Sequence, residues 1–103
     1  MPIPSPNDDE FNLVERALHK DEAAIRALQK DYGRDLVCFL KGAGAGLAEA
    51  NEVVDSLWAD GLEGRAGKPP IFLRYHGQAS LRTWLKTVVL NALLDRKRTE
   101  ARH

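Results

Sequence analysis

The stretch from Ser80 to Arg98, Ser-Leu-Arg-Thr-Trp-Leu-Lys-Thr-Val-Val-Leu-Asn-Ala-Leu-Leu-Asp-Arg-Lys-Arg, constrains the fold more than any other part of the chain. Leu81, Trp84, Leu85, Val88, Val89 and Ala92 recur at spacings of three and four, which places them on one face of a helix and gives that helix a surface to pack on other helices. Arg82, Lys86, Arg96, Lys97 and Arg98 fall mostly away from this stripe and make the helix a platform for a polyanion.

The same periodicity organises the rest of the chain. Asp8 and Asp9 are expected to cap a short first helix carrying Phe11, Val14, Ala17 and Leu18. Asp21 is expected to start a longer second helix with Ile25, Leu28, Tyr32, Leu36, Phe39 and Leu40 on its apolar face, although Gly33 in its interior costs up to about 1 kcal/mol relative to alanine. Gly42-Ala-Gly-Ala-Gly46 reads as a helix stop and turn, because a phosphate-binding loop needs a strand before it and Gly-Lys-Ser/Thr after it. A third helix, from about Leu47 to Leu62, turns Val53, Val54, Leu57, Trp58 and Leu62 inward and Glu49, Glu52, Asp55 and Asp60 mostly outward. Gly61, Gly64, Gly67, Pro69, Pro70 and Gly77 then mark a long connection, of a length that is usually functional or mobile. Nothing alternates with period two for long enough to make a sheet. The expected fold is therefore all-α: a small bundle of about four helices in one domain over residues 9–103, behind a flexible proline-rich leader at residues 1–8.

Charge divides the chain in a way its zero net charge conceals. Residues 1–64 hold 6 Lys plus Arg against 13 Asp plus Glu, a formal charge of −7, whereas residues 65–103 hold 9 against 2, a formal charge of +7. This asymmetry favours a nucleic-acid surface in the C-terminal part and a protein-facing role for the acidic part; the other reading is that the two halves pair with each other. No apolar run approaches the roughly 18 residues of a membrane span, and the N-terminus lacks the basic start and apolar stretch of a signal peptide, so a cytoplasmic protein is expected. Cys38 is the only cysteine; Leu36, Val37, Phe39 and Leu40 around it suggest a buried thiol. His19, His76 and His103 lie too far apart to form a helix-borne metal site, and outward acids such as Glu49, Glu52 and Asp55 are far more often solvated or partner-facing than catalytic. Neither a metal, a cofactor nor an enzymatic activity is expected.

Recognition of single-stranded nucleic acid asks for a positive surface, planar groups that stack on bases, and polar side chains that reach base edges. Phe72, Tyr75 and His76 precede the basic helix, and Thr87, Asn91 and Asp95 follow one another at four-residue spacing along the border of its apolar face. The alternative is structural: Trp84 in the core, Tyr75 as a loop anchor and Asn91 as a polar packing residue.

The run Ser80-Leu-Arg-Thr-Trp-Leu-Lys-Thr-Val-Val-Leu-Asn91, with Asp95-Arg-Lys-Arg98 behind it, closely resembles the second conserved region of bacterial sigma factors of the extracytoplasmic-function group, in the sigma-70 family. Ala48-Glu-Ala-Asn-Glu-Val-Val-Asp-Ser-Leu-Trp58 resembles the acidic helix that precedes it there, and the segment from Leu13 through Tyr32 resembles the family's opening helices. The resemblance implies a sigma region 2-like helical domain that binds the clamp helices of the RNA polymerase beta-prime subunit and helps to open promoter DNA at the minus-ten element. It implies a clamp contact at Asn51, Glu52, Asp55 and Ser56, where the family commonly shows Asp, Gln and Glu at the last three positions. It also implies that the loop Tyr75-His76-Gly77-Gln78-Ala79-Ser80 captures a base flipped from the non-template strand, with Thr87, Asn91 and Asp95 helping to hold it and Arg82, Lys86, Arg96 and Arg98 contacting DNA. Asn91 is family-typical, whereas Thr87 stands where a basic side chain is frequent.

In that family the minus-thirty-five element is read by a separate helix-turn-helix domain, for which this stretch has no sequence; a fragment of a longer sigma factor is expected, and a one-domain relative is the alternative. Two other functional readings compete. One is a sigma-like decoy that binds an anti-sigma protein and no DNA, for which Leu90 and Leu94, placed with Lys86 on the side away from the core, would supply an apolar partner site. Sigma factors themselves also bind anti-sigma proteins. The other is an unrelated basic helical module that binds nucleic acid without sequence preference, which leaves the acidic helix without a role.

Overall fold

The computed structural model describes residues 7–64 and 67–101. The fold is the all-α bundle that the periodicity predicts: α1 (Asp8–Leu18), α2 (Glu22–Gly42), α3 (Leu47–Glu63), a 3-10 turn at Ile71–Arg74, and α4 (Leu81–Ala101). Helix α2 sits centrally and packs on the other three helices, while α3 also packs on α4. The core is entirely apolar, with Leu28, Leu36 and Leu40 of α2 meeting Val14 of α1, Val53 and Leu57 of α3, and Leu81, Leu85 and Val89 of α4.

The helix starts show how local chemistry sets the boundaries. Asn7, not Asp8 or Asp9, occupies the cap position of α1; Asp8, Asp9 and Glu10 form its first turn, where negative charge suits the positive end of the helix dipole. Of the leader expected over residues 1–8, residues 1–6 lie outside the described residues, and Asp8 already belongs to α1. Asp21 caps α2 as predicted: its Oδ1 accepts from the amides of Ala23 (3.0 Å) and Ala24 (3.4 Å), and the Arg16 guanidinium, donating to Oδ2 at 2.9 Å, holds its carboxyl below the usual range. Helix α2 passes Gly33 without interruption and ends at Gly42, with Gly44 turning left-handed at φ +103° before α3 begins.

Two expectations are corrected here. Cys38 is exposed, not buried. Leu36 and Leu40, one turn apart, face the core, and a residue midway between them must face the other way on a 3.6-residue helix. The connection after α3 is also not a loose loop. Helix α3 continues through Gly61 to Glu63, and the 3-10 turn inserts Phe72 between the rings of Trp58 (centroids 6.0 Å apart) and Trp84 (5.6 Å), both rings packing with the core. Gly61 makes this approach possible: a Cβ there would lie 2.8 Å from two Phe72 ring carbons. Gly64, at φ +82°, closes α3 and brings the chain so near Lys68 that a Cβ would lie 2.8 Å from its carbonyl oxygen.

Helix α4 buries Leu81, Leu85, Val89 and Leu93, with Trp84, Val88 and Ala92 packed beside them. Four-residue steps on a 3.6-residue helix drift by about 40° each, so the seam winds around α4 and takes in Leu93, which the predicted stripe omitted. The same drift leaves Leu90 half-buried on the seam's flank and corrects its expected exposure; Leu94, further round, is 45% exposed.

Candidate nucleic-acid and partner surfaces

The loop leading into α4 is built from specific hydrogen bonds. Tyr75 is buried; its ring leans on Trp84 with centroids 5.2 Å apart, and its hydroxyl donates to the Ala79 carbonyl at 2.7 Å. Burial pushes its phenol pKa up, with the Glu10 charge adding to the effect. Tyr75 is thus the loop anchor of the structural alternative, and its ring is not presented for stacking on a base. Beyond it, the Gln78 side chain accepts from the His76 amide at 2.6 Å and donates to the Arg74 carbonyl at 3.1 Å. Gly77 adopts φ +80°, a left-handed conformation that glycine takes without steric cost, and its carbonyl accepts from Asn7 Nδ2 at 3.0 Å. Ser80 caps α4: its Oγ accepts from the Thr83 amide at 3.2 Å and donates to Thr83 Oγ1 at 2.9 Å. His76, Gln78 and Ser80 are exposed, while Gly77 and Ala79 are half-buried.

Glu10 ties this corner together. Its Oε2 accepts from the Leu81 amide at 3.1 Å, at the start of α4, and from the Tyr32 hydroxyl of α2 at 2.9 Å. Partial burial and the Glu10 carboxylate push the Tyr32 pKa up to about 12. No local sequence signal connects residue 10 to residue 81; the acidic first turn was visible only as a favourable helix start.

On α4 the predicted DNA-contacting side chains divide between two flanks. Arg82 forms an ion pair with Asp35 of α2 and lies over the Tyr32 ring, Lys86 lies over the Phe39 ring at 5.5 Å, and Arg96 donates to Glu52 of α3 at 2.8 Å. That bond raises the Arg96 pKa further. The two halves of opposite charge therefore do pair with each other at these points, as the second reading of the charge asymmetry anticipated, although exposed pairs of this kind contribute only about 0–1 kcal/mol each. Among the described residues, the side-chain bonds of the opposite flank stay within α4. Thr87, Asn91 and Asp95 are exposed along it at intervals of about 6 Å, one turn apart. Thr87 Oγ1 donates to the Thr83 carbonyl at 3.2 Å, Arg98 stands 3.9 Å from Asp95, and the Asn91 amide bonds to no described residue.

The residues expected to meet the polymerase clamp lie together on α3. Asn51, Glu52, Asp55 and Ser56 are all exposed, backed by the buried Val53, Val54 and Leu57. Asn51 and Asp55 also border a groove of about 540 Å³ between α2 and α3, floored by Val37, Val54 and Trp58.

Among the described residues there is no group of three or more potential metal-ligating side chains, and no helix is long and apolar enough to cross a membrane. The chain matches no family model, no curated protein and no solved structure.

Proposed function

We propose that this chain acts as a promoter-recognition domain of sigma-factor type, binding the beta-prime clamp helices of RNA polymerase through α3 and the non-template strand of the minus-ten element through α4 and its preceding loop. The observation that carries the reading is the exposed polar flank of α4. Asn91 is exposed there one turn from Thr87 and one from Asp95, its side-chain amide bonded to no described residue, on the helix that a hydrogen-bonded loop leads into. A preformed loop and a free amide suit base recognition, because extraction of a base costs a few kcal/mol that a site already in place offsets more easily. With Tyr75 in the core, His76 is the loop's exposed planar side chain. Asn51, Glu52, Asp55 and Ser56 supply a separate acidic surface, so clamp and DNA do not compete for the same residues, apart from the contact between Glu52 and Arg96.

Titration with single-stranded non-template oligonucleotides over a range of salt tests this reading. Asn91→Ala is expected to relax base preference; Arg98→Ala is expected to weaken all sequences alike and to reduce the salt slope by about 0.7. A pull-down with the polymerase clamp helices accompanies it. The second reading, a decoy that binds an anti-sigma protein without DNA, is favoured by the 45% exposure of Leu94 on α4. Tight capture by an anti-sigma protein with no oligonucleotide binding at any salt would establish it in place of the first.

A further inference from the structure

We infer that the first turn of α1 is a positioning element for the loop at residues 75–80: Asn7 and Glu10 set where that loop stands against the start of α4, and through it the base preference of the site. This rests on the proposed role of the loop in holding a base.

Three observations converge on it. Asn7 Nδ2 donates to the Gly77 carbonyl at 3.0 Å, and Glu10 Oε2 accepts from the Leu81 amide at 3.1 Å, so α1 grips the loop at its turn and at its exit into α4. Both bonds span about 70 residues of sequence and are partly buried. Gly77 sits at φ +80° with Asn7 and Phe11 against it at 3.8–4.0 Å from where a Cβ would be, so the turn is seated directly on α1. Glu10 is itself held, because Tyr32 of the central helix donates to the same oxygen, and a carboxylate at the start of α4 meets the positive end of that helix. The loop's other side-chain bonds are short in sequence: Tyr75 to Ala79, Gln78 with Arg74 and His76, and the Ser80 cap with Thr83. They shape the loop, and the buried Tyr75 anchors its start; the bonds from Asn7 and Glu10 fix its turn and its exit. Asn7 and Glu10 act through Gly77 and Leu81, to which they are bonded.

The test compares Glu10→Ala, Glu10→Gln and Asn7→Ala in the full chain, using two measurements. The first is amide hydrogen exchange. Glu10→Ala is expected to raise exchange at the Leu81 amide, and Asn7→Ala at the His76 amide, by about tenfold or more while amides of α2 and α3 keep the parent's protection; Glu10→Gln, which retains an acceptor for the Leu81 amide, is expected to restore most of it. The second is the ratio of affinities for single-stranded oligonucleotides that differ at one base. That ratio is expected to fall severalfold in both alanine variants and to return in Glu10→Gln, whereas a purely structural role would lower stability and leave the ratio intact. Should Glu10→Ala fail to fold, Asn7→Ala, which removes the neutral bond to Gly77, carries both measurements. Unchanged exchange at the His76 and Leu81 amides overturns the inference, and so does an unchanged ratio with binding intact. If the parent binds no oligonucleotide, the proposed function fails, and the exchange measurement still decides whether α1 holds the loop.

Discussion

The two halves of α4 share one helix and one run of sequence, yet they do different physical work. From Leu81 to Leu93 every fourth residue is buried, the start is capped by Ser80 and held by Glu10, and Phe72 and Tyr75 pack on Trp84. From Leu94 onward the described side chains are exposed except for half-buried Arg96, which reaches back to Glu52 of α3. The inner half is fixed by packing from α1, α2, α3 and the 3-10 turn; the outer half is fixed mainly by its own backbone. A helix arranged in this way carries a surface on a rigid base. Changes to the buried seam of the inner half are therefore expected to act on folding, and changes to exposed side chains, from Thr87 and Asn91 to the outer half, on what the surface binds.

The largest effect belongs to the inner half. Leu85 is fully buried, and Leu85→Ala is expected to cost about 2–5 kcal/mol, read as a fall in the urea midpoint, because the lost transfer energy adds to that of the cavity left behind. A loss below about 1 kcal/mol would show that the inner half is not the anchored one. Next comes Gly61→Ala. A helical alanine would ordinarily gain up to about 1 kcal/mol over glycine, but here the added methyl meets the Phe72 ring at 2.8 Å, so the variant is expected to lose about 1–3 kcal/mol by overpacking. Calorimetry on that variant reports whether Phe72 holds the inner half of α4 as firmly as the ring stacking implies.

How much of this was legible in the sequence follows the same division. The stripe through Leu81, Leu85 and Val89 was readable because three- and four-residue spacing is a local property, and the exposure of Glu52 and Asp55 followed from the same period on α3. Phe72 and Tyr75 were not readable as core. They lie in a segment with no period; Phe72 fills a notch at Gly61 that exists only once α3 and the turn are packed, and Tyr75 is buried against Trp84 of α4. The commitments of Arg82, Lys86 and Arg96 were equally hidden, since Asp35, Phe39 and Glu52 come beside them only through the packing of α2 and α3 on α4. Composition showed that opposite charges were present; topology decided which of them meet.

A smaller effect concerns the bond that fixes the start of the inner half. The Tyr32 pKa is raised to about 12 in the folded chain, against about 10 when unfolded. For a group whose folded pKa is raised, the stabilisation is complete below the unfolded value and is lost as pH climbs through the folded one, here between about 10 and 12. Deprotonation would remove the donor that Glu10 accepts from and place a second negative charge beside it. The ring is partly exposed, so solvent screens much of the effect. Urea midpoints measured for the parent and for Tyr32→Phe at about pH 8 and about pH 11 are expected to show a shallower decline in the variant. Parallel declines would mean that the bond from Tyr32 to Glu10 contributes nothing to holding α4.

The smallest effect is expected at Leu94, and its smallness is what makes it informative. Leu94 has the same side chain as Leu85, nine positions further along the same helix, but its 45% exposure means that truncation leaves no sealed cavity and returns little apolar area to water. Leu94→Ala is expected to change stability by no more than about 0.5 kcal/mol in the free chain, measured by urea denaturation alongside Leu85→Ala. A cost approaching that of Leu85→Ala would mean that the outer half is anchored after all, and the division between base and surface would fall. If stability holds while binding of an anti-sigma protein weakens, the exposed leucine is a partner contact in the outer half. That outcome would extend the division from folding to function, because two leucines of one helix would then be separated only by what covers them.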